Sequence, residues 1–112
     1  PAEAIRTDIE SAVGIVRSGL HRTGRDHLCC GAMGRVEFLL SAGRRLNRQD
    51  IESEAKLRAA RIIRKYAGSP DSELMSGDVY QFLGLFNGMA GIGYEWLRLH
   101  HPEDLPSVLL LE

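Results

Sequence analysis

The sequence predicts an all-α chain of about four main helices that alternate in character, amphipathic then apolar, twice over. Three observations carry that expectation. Two stretches, one opening at Thr7 and one after Asn47, set apolar residues at helical spacing with most charges off the stripe. Two others start on a Gly-x-x-Gly turn and remain apolar on most sides, the pattern of an element buried on most sides. Those two also echo each other: Gly31-Ala32-Met33-Gly34-Arg35-Val36-Glu37-Phe38-Leu39-Leu40 is repeated as Gly88-Met89-Ala90-Gly91-Ile92-Gly93-Tyr94-Glu95-Trp96-Leu97, at an offset of 57 residues (88 − 31). A period of this size suggests a two-helix unit that cannot bury its apolar face alone and must stack on neighbours. The glycines let the start of each such helix approach another backbone.

The first helix is expected to open at Thr7, where Thr7-Asp8-Ile9-Glu10 has the capping-box form, and to run to about Ser18 before Gly19 ends it. Ile9, Ala12, Val13, Val16 and Leu20 form its stripe. A polar loop, His21-Arg22-Thr23-Gly24-Arg25-Asp26, then delivers the chain to the cysteines. The second helix spans about 31–42 and carries Met33, Val36, Phe38, Leu39 and Leu40 with few charges. In the third, Asn47 is the expected cap. Acids near its start and Arg61, Arg64 and Lys65 near its end suit the helix dipole. Its core stripe is Ile51, Ala55, Ala59, Ile62, Ile63 and Tyr66, and Gly68 and Pro70 stop it. Residues 69–86 read as a long connection with turns at Ser69-Pro70-Asp71 and Ser76-Gly77-Asp78. The fourth helix, about 87–100, repeats the apolar type, with Trp96 and the methionines expected in the core. His100-His101 reads as solvated charge at a helix end, and the apolar tail 108–111 should fold back onto the body. Such alternation is what an α/α toroid requires, outer helices half in water and inner helices lining the centre.

Composition excludes several classes. With 14 basic against 15 acidic residues and a formal charge of −1, the chain has no electrostatic footprint for nucleic acid or a membrane surface. The alternating basic and acidic residues of the third helix read as a solvated face rather than a phosphate site. There is neither a signal segment nor a run long enough to span a bilayer, so the chain reads as a piece of a cytoplasmic protein.

Both cysteines fall in Asp26-His27-Leu28-Cys29-Cys30-Gly31-Ala32-Met33-Gly34. Thiolates are soft zinc ligands, and a pair at the opening of a helix can be aimed at one point. The same pair could be small core hydrophobes, a strained vicinal disulfide or a redox thiol. Two ligands are not a catalytic zinc site, which needs three from the protein and one open position. His27 is a candidate ligand or proton donor, or else an exposed or supporting imidazole.

Leu28-Cys29-Cys30-Gly31-x-x-Gly34 resembles the Cys-His-Gly zinc motif of the lanthionine synthetase cyclases, in the variant where a second cysteine replaces the histidine. The ending from Gly84 to Leu99, followed by Leu105-Pro106-Ser107-Val108-Leu109-Leu110-Leu111-Glu112, is similar to the C-terminus of the bifunctional class II lanthipeptide synthetases, the LanM type. The resemblance runs from about Thr7 to the end, and the two motifs in this order are more specific than either alone. It implies that residues 1–112 are part of a cyclase domain, the last helix pairs of an α/α toroid.

The chemistry implied is thioether ring formation. A peptide cysteine, bound to Zn2+, adds to the β-carbon of a dehydroalanine or dehydrobutyrine in a dehydrated precursor peptide. Cys29 and Cys30 would be two of the three zinc ligands. The third, a cysteine in the family's upstream motif, is absent from this sequence, as are the family's catalytic histidine and aspartate. Cysteine at position 30 implies a three-thiolate site, more electron-rich than the histidine form, whose added sulfur should be more nucleophilic. The alternative expectation is a zinc- or peptide-binding helical module without turnover. The rest of the synthetase chain and the precursor peptide are the expected partners, with no nucleic acid and no membrane span.

Overall fold

The computed structural model describes residues 2–20, 25–67 and 83–111. Among them are four helices and no strand: α1 (Ala2–Gly19), α2 (Ala32–Arg45), α3 (Gln49–Ala67) and α4 (Met89–His100). The chain is all-α, as its periodicities predict. The internal repeat is structural as well. Both α2 and α4 begin on the residue after the first glycine of a Gly-x-x-Gly, and both N-cap glycines are extended, at φ −93°, ψ −166° for Gly31 and φ −138°, ψ −166° for Gly88. Among the described residues no helix is long and apolar enough to cross a membrane.

The centre of the molecule is α2. Met33, Val36, Leu39 and Leu40 are fully buried, and the helix packs most extensively on α3, whose Ile51, Ala55, Ala59 and Ile62 form the facing stripe. Val13 and Leu20 close the core from the α1 side. Arg35 of α2 donates to the Gly19 carbonyl at 3.0 Å, satisfying one of the orphan acceptors at the end of α1. Arg17 to Glu54 (2.7 Å) and Arg48 to Glu10 (3.3 Å) tie α1 to α3 and its approach, at sites exposed enough that each contributes little.

Four sequence expectations are corrected. Helix α1 starts at Ala2, ahead of Thr7, and the Thr7 hydroxyl donates to the Glu3 carbonyl at 2.9 Å. The capping-box residues therefore lie inside a helix, where a hydroxyl bonds back one turn. Asn47 does not cap α3. It is in the left-handed region at φ 53°, with Asn47 N–H donating to Arg44 and Arg48 N–H to Gly43 (2.7 Å), which is a Schellman end to α2. The third correction concerns α4: Trp96 and Leu97 are exposed, while its buried residues are Gly91, Glu95 and Arg98. Those three recur along one stripe, on which Glu95 and Arg98 meet Glu37 of α2, while Ile92 and Leu99 beside it pack against the apolar core. The tail, finally, returns only in part. Ser107 is fully buried and Val108 and Leu109 half-buried, but Leu110 and Leu111 are exposed. Gly68, Pro70 and both expected turns of the long connection lie outside the described residues.

Candidate functional site

A helix that starts on glycine has no side chain to satisfy its first N–H groups. At α2 the preceding loop does so with its own carbonyls: Ala32 N–H donates to Arg25 (2.9 Å) and Met33 N–H to Asp26 (3.4 Å). To reach them the loop must lie against the helix start. A Cβ at Gly31 would sit 2.5 Å from the Arg25 and His27 carbonyl oxygens, and one at Gly34 would strike the Leu28 carbonyl. The Gly-x-x-Gly is thus a steric requirement of the turn that carries the cysteines. Leu28, fully buried, anchors that turn in the interior.

The second copy of the repeat meets the first at this point. Cys29 N–H donates to the Phe86 carbonyl at 2.9 Å. Within the first turn of α4, Gly91 leaves the space that the Leu85 carbonyl and the Leu28 Cβ occupy. The two glycine-led turns therefore share one junction, with the Cys29 backbone in it.

Asp26 fixes the loop from the other side. Its buried carboxylate accepts from Tyr66 OH at 2.7 Å and Lys65 Nζ at 3.1 Å, both on α3. Replacing Tyr66 with phenylalanine removes a bond to a charged acceptor and is expected to cost about 1–2 kcal/mol. Urea unfolding would show this as a lower midpoint at constant slope; an unchanged midpoint would mean Asp26 is satisfied without the phenol.

On this frame Cys29 and Cys30 are both exposed and both free thiols. Neither packs in the core, and they form no vicinal disulfide. His27 is buried beneath them, and its Nδ1 lies 3.5 Å from the Cys30 N–H, a long hydrogen bond that supports the turn. His21 lies outside the described residues. His100 and His101 are exposed at the end of α4, and the Nδ1 of His100 is 3.0 Å from the Trp96 carbonyl oxygen. Among the described residues no three His, Cys, Asp or Glu side chains come together to hold a metal. The two thiols stand as an adjacent pair of soft donors at the surface, which fits a zinc ion that takes its remaining ligands elsewhere.

A family model described as lanthionine synthetase C-like protein matches residues 2–110. The chain belongs to that family. No curated protein matches it, and no solved structure does.

Within this lanthionine synthetase C-like chain, the sequence reading missed a second polar centre. Glu37 of α2 and Glu95 and Arg98 of α4 are all buried, and Arg98 grips Glu37 with two hydrogen bonds, Nε to Oε2 at 3.0 Å and Nη2 to Oε1 at 2.9 Å. Burial alone would push the Glu37 carboxyl up. Hydrogen bonds from Glu95, Arg98 and Ser107 overcome that and hold it well below the usual carboxylate range. Glu95 goes the other way: burial, then the neighbouring Glu37, drives it far above that range. The signal in the sequence was a glutamate set among apolar residues in each glycine-led helix.

Proposed function

We propose that this lanthionine synthetase C-like chain is part of a zinc-dependent cyclase that closes thioether rings in a dehydrated precursor peptide. In this reading it forms the last helix pairs of an α/α toroid in a cytoplasmic class II (LanM-type) synthetase, and Cys29 and Cys30 are two of the three protein ligands. The observation that carries the reading is the pair of exposed, free thiols on a turn whose backbone is fixed at Gly31, Gly34 and Phe86, within a chain matched to the family almost end to end. Cys29 and Cys30 would hold the zinc, whose Lewis acidity would lower the pKa of a bound peptide thiol so that its proton is lost to solvent at neutral pH. This chain contributes the rest of the local arrangement. The turn presents both sulfurs to solvent, and buried His27 and Leu28 hold it from below. Overall, the peptide sulfur bonds to the β-carbon of the dehydro residue and a proton is added at its α-carbon. The group that donates that proton, like the third ligand, comes from outside the described residues.

A second reading, a peptide-binding module without turnover, draws on the apolar side chains beside the thiols. Leu85 and Phe86 are exposed next to Cys29 and would hold an apolar segment of a peptide whether or not chemistry follows.

The deciding measurement is metal content of the full-length enzyme, in which N-terminal sequence supplies the third ligand, purified without added metal in parent and Cys30→Ala forms. About one zinc per chain, lost in the variant, is the expected result. Stoichiometric zinc retained by the variant would remove Cys30 from the ligand set. With zinc established, thioether formation on a dehydrated peptide separates the cyclase from the binding module.

A further inference from the structure

The buried stripe of α4 brings two carboxyls and one guanidinium into a site closed to water. Arg98 is committed to Glu37 and, through Nη1, to the Leu105 carbonyl at 2.7 Å. Glu37 also accepts from Ser41 Oγ at 3.0 Å and from Ser107. Glu95, 1% exposed, hydrogen-bonds to Glu37, while its Oε1 is buried with no hydrogen-bond partner.

Two negative charges in contact against one positive charge, with one oxygen bare and no solvent, is a costly arrangement. If Glu95 is instead a neutral acid, the count balances. Its hydroxyl donates to Glu37, and the bare atom is an uncharged carbonyl oxygen, which costs far less to bury. We propose that Glu95 retains a proton in the folded protein at neutral pH, shares it with Glu37, and thereby closes a clasp that joins α2, α4 and the C-terminal tail.

The groups that face this proton come from three elements. Helix α2 supplies Glu37 and Ser41, α4 supplies Arg98, and the tail supplies the Leu105 carbonyl and Ser107. Among the described residues, no charged group of α1 or α3 acts on Glu95. The upward shift of the Glu95 carboxyl agrees with the charge count.

The sign of the pH dependence follows. Unfolded, Glu95 gives up its proton near the ordinary value of 4.5; folded, it holds the proton far beyond that. Its contribution is complete below the unfolded value and is lost as pH rises toward the folded one. In that window the folding constant falls about tenfold per pH unit. Glu37, with its carboxyl held low, acts in the opposite sense and loses its contribution as pH falls below 4.5. The clasp is therefore tightest in mildly acid solution and loosens as the solution becomes alkaline.

Glu95→Gln copies the neutral acid, keeping a donor for Glu37 while removing the titration. Urea unfolding of parent and variant is compared from about pH 5 to about pH 8. The expected result is near-equal stability at the acid end, then a gap in favour of the variant that widens by about tenfold in equilibrium constant per pH unit. Parallel profiles would overturn the proposal. Glu37→Gln adds a second arm: Glu95 should ionise, take over Arg98 and lose its anomalous proton. The double variant Glu37→Gln/Glu95→Gln, with Arg98 left uncompensated, should then lose more than the two single changes summed; additive losses would also overturn the proposal. A carbon-13 titration of the unmodified protein needs no variant. One glutamate carboxyl still protonated at neutral pH is expected, and complete ionisation of all glutamates would refute the shared proton.

Discussion

Replacing Arg98 by methionine is expected to cost about 3–5 kcal/mol at neutral pH, because it leaves the Glu37 carboxylate buried without its cation. Methionine keeps much of the volume, so the loss is electrostatic rather than one of packing. It also removes the donor to the Leu105 carbonyl, which should free the tail before the helices separate. The pH dependence identifies the cause. In the parent, Glu37 is held low by its hydrogen bonds and stabilises the fold above 4.5, a contribution lost as pH falls through its depressed folded value. Without Arg98 that carboxyl must either stay charged and unpaired or take up a proton. The difference between parent and variant should therefore be largest near neutrality and shrink in acid. A chemical-denaturation series checks this; a cost that is small, or independent of pH, would show the pair to be replaceable by any side chain of similar shape.

The second large effect is expected from Gly91→Ala. Alanine is the better helix former by about 1 kcal/mol, so propensity alone predicts stabilisation. Geometry predicts the reverse, since a Cβ at Gly91 would drive into the Leu85 carbonyl and lie 3.0 Å from the Leu28 Cβ. Both neighbours belong to turns fixed by backbone hydrogen bonds, so neither can rotate out of the way. The expected cost is about 3 kcal/mol, with the cysteine turn displaced along with Leu28. Gly93→Ala is the internal control: nothing lies within 4 Å of a Cβ there, and the change should be neutral or stabilising by up to about 1 kcal/mol. Equal effects at the two positions in thermal unfolding would mean that the close approach at Gly91 is not what its glycine is for.

Helices α2 and α3 were legible because their stripes are apolar and burial follows apolarity. Ile51, Ala55, Ala59 and Ile62 are buried as their spacing predicts. The glycine repeat was legible for a related reason: a residue without a side chain states where another backbone must pass, and Leu28, Leu85 and Arg25 are what pass there. The face of α4 was not legible. Its buried stripe runs through Glu95 and Arg98, which look like solvent residues until Glu37 of α2 is placed opposite them, and that pairing is a tertiary fact. Asn47 misled for a local reason, because asparagine suits both the start of one helix and the left-handed end of another. Of the candidate site, the sequence showed the two thiols and the turn. It did not show that they point outward, or that the carbonyl bracing Cys29 would come from Phe86.

That brace has a consequence in time. The Cys29 amide and the Phe86 carbonyl are separated along the chain by all of α2 and α3, so the bond between them closes a long loop. As the polypeptide is synthesised from its N-terminus, the thiols emerge before α2 and α3, and Phe86 only after both. Until Phe86 has been made, the growing chain carries both cysteines on a turn that lacks this brace. Whatever these sulfurs hold in the finished protein, the backbone that carries them is braced for it by a residue made only after both α2 and α3.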